Sequence, residues 1–224
     1  MGVRAVMSHF GLMLCLLFAG QAAALELSGQ ISVLDKNKPV TRVKNVVVYY
    51  RPDEPVPLPS SPEPFQMATQ RKQFVPRVLP ITAGATVHFP NFDPILHNVF
   101  STTRKNAFDV GLYGQGDGED HFFDTAGLVR VFCNVHQSMV GHILVLDTPF
   151  FAAVDGDGRF SLVDLPPGEG KLYFWHERAR PLIKELTLPV SEPLQFELAL
   201  TKRKVPNHKN KFGKTYKRDR RGRY

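Results

Sequence analysis

Val131-Phe132-Cys133-Asn134-Val135-His136-Gln137-Ser138-Met139 is the stretch on which the reading of this chain turns. It lies between two apolar runs, Leu128 to Phe132 and Ile143 to Leu146. Both runs are short, aliphatic and bounded by glycines, which are the marks of strands. The segment between them is then a tight loop at a sheet end. That loop carries a thiol, an imidazole and a thioether within reach of one point. A second imidazole, His97, lies upstream with Asn98 beside it.

Two His, one Cys and one Met make the donor set of a blue-copper site, with three strong ligands near a plane and a weak axial sulfur. Cys133 as thiolate supplies covalency, His97 and His136 complete the plane, and Met139 offers a weak axial bond that favours the reduced ion. Cys133, His136 and Met139 share one loop, so chain folding alone gathers three donors. His97 comes from a neighbouring strand and ties the site to the sheet. Asn98 is placed to brace the loop, with its backbone N–H in reach of the Cys133 sulfur. Phe89, Phe92 and Phe132 are placed to keep water away. The cofactor expected is one copper ion cycling between Cu(I) and Cu(II). A lone thiolate with a thioether suits copper better than a structural zinc set. The bland alternative is a sandwich with a bare pocket.

These residues resemble those of cupredoxins. The matching positions are His97-Asn98, then Cys133, His136 and Met139 in a C-x-x-H-x-x-M loop similar in length to that of amicyanin. Phe74-Val75-Pro76, Ile81 to Gly84 and Val87-His88-Phe89-Pro90-Asn91 match the surroundings, and the resemblance covers roughly Phe65 to Asp147. It is nearest to the cupredoxin-containing periplasmic proteins often named methylamine utilisation proteins, whose loop reads C-N-I-H-x-x-M. Here Val135 stands for the Ile, a change that leaves the ligands untouched.

Residues 1–24 read as a signal peptide. Arg4 gives a basic start, Gly11 to Gly20 an apolar stretch, and Ala22-Ala23-Ala24 a small-residue cleavage site. The apolar stretch is too short to span a bilayer. Cleavage near Ala24 implies a periplasmic protein and leaves Cys133 as the sole cysteine. In an oxidising compartment an unpaired thiol is a liability unless it has a task; ligation would shield it. The bland reading is a core cysteine that packs as a small apolar residue.

Charge is split along the chain. The formal total is +7, yet Lys202 to Tyr224 alone holds 11 Lys or Arg and one Asp. The body is therefore mildly acidic, and export argues against nucleic acid as a partner. Residues 202–224 hold too few apolar side chains to order themselves and read as a basic disordered tail. Either the tail is a solvated end without a task, or it contacts an anionic surface.

The expected fold is all-β. A cupredoxin-like Greek-key β-sandwich spans 56–147, with candidate strands at Phe74 to Leu79, Ala85 to Phe89, Leu96 to Ser101, Phe108 to Leu112, His121 to Asp124, Leu128 to Phe132 and Ile143 to Leu146. Six prolines between Pro52 and Pro64 exclude helix and ladder strand there, giving an extended linker. Gly114-Gln115-Gly116-Asp117-Gly118 reads as a mobile turn and not a phosphate loop. Beyond Asp147, Asp155-Gly156-Asp157-Gly158 is a hairpin turn without the carboxylates of a calcium loop. The run from Gly158 to Gly168 resembles a carboxypeptidase-regulatory-like, transthyretin-type domain. Such a domain would begin with Gly29 to Val33 and Val46 to Val48. Residues 25–55 and 148–201 would then form a smaller sandwich into which the metal domain is inserted. The alternative is two domains in series.

The function implied is a periplasmic one-electron carrier, not an enzyme, with His136 as the electron port and a redox protein as partner. The chain lacks the His-x-His pairs of a multicopper oxidase. Two other functions remain open: a copper-carrying or copper-sensing protein that meets a copper donor or acceptor, and a structural adhesion module with a vestigial site. His142, three residues past Met139, is the best spare donor. Trp175-His176-Glu177 reads as a contact between domains.

Overall fold

The computed structural model describes residues 25–61, 63–203 and 208–216. Among these the chain forms eighteen strands and no helix. The proposed leader, 1–24, lies outside the described residues, as do 204–207 and 217–224 of the tail.

Four sheets pair into two sandwiches. One sheet of the first sandwich runs, in spatial order, Phe108–Tyr113, His97–Ser101, Gly127–Phe132, Val140–Leu146 and Val78–Thr82. Facing it are Gly116–Phe123, Ala85–Asn91, Ala68–Gln70 and Gln73–Val75, with Phe65–Gln66 also on Ala85–Asn91. Alternation sets the core. In Gly127–Phe132, Val129 and Val131 point inward while Arg130 is exposed. They meet Met67, Phe74, Val87, Phe89 and Phe123 from the other sheet and its edges, and Ile81 from their own sheet.

Val140–Leu146 departs from alternation, because every residue in it is buried. The run is apolar on both faces since both faces are covered, as happens when a strand is sandwiched between layers. Ile143 and Val145 belong to the first core. Leu144 and Leu146 turn the other way, against Val47, Val78 and Trp175. Each such buried side chain contributes about 1.5–3 kcal/mol relative to exposure. The two sandwiches are therefore joined by an apolar seam on the strand that follows the donor loop.

The second sandwich has Leu25–Asp35 as a central strand. It pairs antiparallel with Arg159–Leu165 and parallel with Leu194–Leu200. Its facing sheet runs Phe151–Ala153, Val47–Pro52, Gly168–Trp175 and Leu182–Leu188. Thus, apart from the two-residue strand Lys38–Pro39 paired with its last residues, Leu25–Asp35, like Val47–Pro52, takes its partners from beyond residue 150, and the chain from Phe65 to Leu146 lies between the two portions. Leu27, Ile31, Tyr50, Leu162, Leu172 and Phe174 fill this second core.

Three local expectations differ from the structure. Phe74 to Leu79 is not one strand. Gln73–Val75 and Val78–Thr82 lie in different sheets, and the chain crosses between them at the cis Val75-Pro76 peptide. Gly116 to Gly118 is no mobile turn but the start of Gly116–Phe123, paired with Ala85–Asn91. Gly118 has φ +84°, and a Cβ there would run into the Phe89 carbonyl, so the residue serves close strand approach and not mobility. Leu182–Leu188 is a strand that sequence reading passed over; only Leu188 is buried in it, so its apolar pattern is weak. The proline-rich residues 53–61 carry no strand, in keeping with an extended linker.

Candidate metal centre

The donor loop leaves the end of Gly127–Phe132 and returns as Val140–Leu146, a strand paired antiparallel with the first from Gly127↔Val145 to Phe132↔Val140. Inside it the Met139 N–H donates to the His136 carbonyl at 3.1 Å, which closes the turn. His97 opens the strand His97–Ser101, buried along its whole length, and Phe100 on that strand pairs with Phe132. The site therefore sits where two adjacent strands of one sheet end.

Three of the expected donors converge. His97 Nδ1 lies 3.8 Å from Cys133 Sγ, and His136 Nδ1 lies 3.7 Å from the same sulfur. All three donor atoms fall within 4.8 Å of one another. Metal–donor bonds of about 2.0–2.3 Å in a trigonal plane set neighbouring donors about 3.5–4 Å apart, so the spacing fits one ion. Met139 is buried in the same apolar cluster as Cys133. Cys133 and His97 are fully buried, while His136 keeps 9 % of its surface exposed.

The electrostatics favour the ligating protonation states of Cys133 and His136, the thiolate and the neutral imidazole, whereas the anionic surroundings of His97 favour its protonated form. Burial alone would raise the Cys133 thiol. The His97 imidazole and the backbone N–H groups of Asn98, Val135 and His136 more than offset this and hold its pKa below the ordinary thiol value. Burial would lower His97, but Cys133 and Asp93 outweigh it and raise the pKa. His136 is lowered by burial, then by the charges of His97 and Lys72.

Asp93 is the residue that sequence reading missed. Its carboxylate accepts the His97 Nε2–H at 2.9 Å, which leaves Nδ1 free to face the sulfur. The same carboxylate accepts the Arg71 and Lys72 backbone N–H groups at 2.6 and 2.8 Å. Buried Asn91 shapes the turn between them: its Oδ1 accepts from Thr69 Oγ1 and the Asp93 N–H, and its Nδ2 donates to the Ile95 carbonyl. The signal was present in Asn91-Phe92-Asp93-Pro94, a run of turn-forming residues placing a carboxylate four positions before the imidazole.

Asn98 sits behind the loop. Its Nδ2 donates to Asp109 Oδ1 and the Gly111 carbonyl, both at 2.6 Å, and its Oδ1 accepts the Asn134 N–H at 3.3 Å. Of the three aromatic shields expected, Phe89 is buried and Phe132 half-buried, whereas Phe92 is 53 % exposed. His142 is not part of the cluster. It faces the second sandwich, its ring 5.3 Å from that of Trp175 and its Nδ1 3.5 Å from Glu177. Glu177 also binds Arg77 through both carboxylate oxygens, at 2.8 and 2.9 Å.

The tail departs from its expected disorder over residues 208–216, which lie against the donor loop. Tyr216 Oη donates to the Cys133 carbonyl at 2.8 Å, and the Lys211 N–H donates to Asn134 Oδ1 at 3.1 Å. Lys211 Nζ donates to Asp109 Oδ2 at 2.6 Å, and the His208 ring stacks on Phe132 with centroids 4.2 Å apart. Charge pairing and aromatic stacking replace the aliphatic burial that the tail lacks.

No family model and no curated protein matches the chain. Among solved structures it is similar to a purple cupredoxin from Nitrosopumilus maritimus, with 24 % identity over 37 % of this chain and 99 % of that one and a TM-score of 0.34. It is also similar to a copper-containing nitrite reductase from Thermus scotoductus SA-01, with 25 % identity, 42 % of this chain, 25 % of that one and a TM-score of 0.37. A reduced amicyanin variant matches at 19 % identity over 38 % of this chain and 85 % of that one, with a TM-score of 0.36.

Proposed function

We propose that His97, Cys133, His136 and Met139 hold one copper ion and that the protein is a periplasmic one-electron carrier without enzymatic activity. The observation that carries this reading is the convergence of two imidazole Nδ1 atoms on a buried thiol at 3.7 and 3.8 Å. A copper ion held by such donors exchanges one electron with little rearrangement of its ligands. Asp93 holds the His97 tautomer, three backbone N–H groups sustain the thiolate, and the core excludes water from the sulfur.

His136 supplies the edge nearest solvent. Exposed apolar side chains lie close to the donors in the chain and along the strand ladder. Phe92, Ile95 and Leu96 precede His97, Leu112 pairs with Asn98, and Val135 adjoins His136. Such a patch suits brief docking of a redox protein. Full burial of Cys133 and His97 disfavours rapid handover of the ion to a chaperone. In this reading 56–147 carries the metal, while 25–55 and 148–201 brace it.

The test is one spectrum. Oxidised copper-loaded protein should show an intense visible band from sulfur-to-copper charge transfer, absent in Cys133→Ser. A colourless Cu(II) form would refute the carrier.

A further inference from the structure

We propose that residues 208–216 form a strap that positions the donor loop, with Tyr216 and Lys211 as its positioning residues. The idea deepens the copper reading where spectra are concerned, but its mechanical part concerns the protein alone.

The backbone explains why the loop needs a strap. Ladder pairing between the two loop strands ends at Phe132↔Val140, so the Cys133 carbonyl has no strand partner. A backbone carbonyl withdrawn from water must be satisfied elsewhere. The Tyr216 hydroxyl, drawn from 83 residues away in the chain, does this at 2.8 Å. The next residue, Asn134, is held from two sides. Its N–H donates to Asn98 Oδ1, and its own Oδ1 accepts the Lys211 N–H.

Lys211 closes a ring of contacts. Its ammonium pairs with Asp109, Asp109 accepts from Asn98 Nδ2, and Asn98 accepts from Asn134, whose side chain returns to the Lys211 backbone. Phe132, the residue before Cys133, is covered by the His208 ring, which Tyr216 meets edge-on at 5.2 Å. Both residues flanking Cys133, and Cys133 itself, are thus contacted by one nine-residue segment. The ammonium–carboxylate pair is partly exposed, so the strap should loosen as salt screens it.

Cys133 is fully buried; a thiol reagent reaches it only when the loop opens, and its rate reports that opening. The experiment compares iodoacetamide alkylation of Cys133 in metal-free full-length protein, Tyr216→Phe, Lys211→Met, Lys211→Arg and a chain ending at residue 207. Loss of one net hydrogen bond corresponds to about fivefold in the opening equilibrium. We expect Tyr216→Phe and Lys211→Met to react about fivefold faster, the shortened chain faster still, and Lys211→Arg near the parent rate. The urea midpoints of the two point variants should stay at the parent value, which separates a local strap from general stability. Copper-loaded Tyr216→Phe and Lys211→Met should also show a shifted visible band and faster copper loss to a chelator. Equal alkylation rates across all five proteins would overturn the strap. If the alkylation order holds but no chain develops colour with copper, the strap stands and the copper reading falls.

Discussion

His97 shows how one side chain is fixed from two directions. Its Nε2 faces a carboxylate that two backbone N–H groups already hold, and its Nδ1 faces the thiol. Asp93→Asn keeps the volume but removes the charge that favours the Nε2–H tautomer. Metal affinity should fall about ten- to a hundredfold, as is usual when a ligand's hydrogen-bond partner is lost, and a chelator competition would measure it. His142 makes a different prediction. Burial pushes its pKa down to about 4, against the pull of Glu177 and with Arg77, Arg130 and His176 adding to the depression. A histidine kept neutral in the fold gives full stability above its unfolded pKa and loses it as pH falls toward the folded value. Between about pH 6.5 and 4 the unfolded chain takes up the proton and the native chain does not, at a cost on the order of 3 kcal/mol. Urea titrations of metal-free protein should show this acid-side loss, and His142→Gln should flatten it.

Among the elements, the donor loop was legible in the sequence because its chemistry is chain-local. Cys133, His136 and Met139 fall within seven residues between two strands, so little tertiary knowledge was needed. Strand patterns with clear alternation, such as Gly127–Phe132, were equally open to reading. Gly116–Phe123 was not, because its glycines look like turn chemistry until the Phe89 carbonyl is seen pressing on Gly118. Gly118→Ala should therefore destabilise the first sandwich by about 1–3 kcal/mol through forced left-handed backbone and displaced pairing. A shift in the thermal midpoint would register it. The docking of 208–216 had no local signature. Cationic residues without aliphatic neighbours read as solvated, and only tertiary geometry brings Asp109, Asn134 and the Cys133 carbonyl to meet them.

At the scale of the molecule, the seam between the sandwiches decides whether the site is braced. Trp175 is the single tryptophan of the chain and lies in that seam. Arg77 reaches from the foot of Val78–Thr82 to Glu177 with two hydrogen bonds, and its Nη1 donates to the Val140 carbonyl, one residue past Met139. In the intact protein, tryptophan fluorescence and visible colour should vanish together along a denaturant titration. Glu177→Ala leaves the Arg77 guanidinium without its carboxylate, which typically costs about 3–5 kcal/mol for a buried pair. Because Arg77 is partly exposed, a smaller loss is expected here. The two signals should then separate into two transitions, and coincident curves in the variant would argue against a bracing seam. The topology also sets an order of events during biosynthesis. Leu25–Asp35 leaves the ribosome ahead of the first sandwich with only the two-residue strand Lys38–Pro39 close by to pair its last residues, yet its two long neighbours, Arg159–Leu165 and Leu194–Leu200, are made after that sandwich. Until then most of its length, Leu25 to Val33, has two open edges, a ready template for pairing with other nascent chains. Early completion of the intervening sandwich draws those distant segments together, so variants that slow it should aggregate through a part of the protein they never touch.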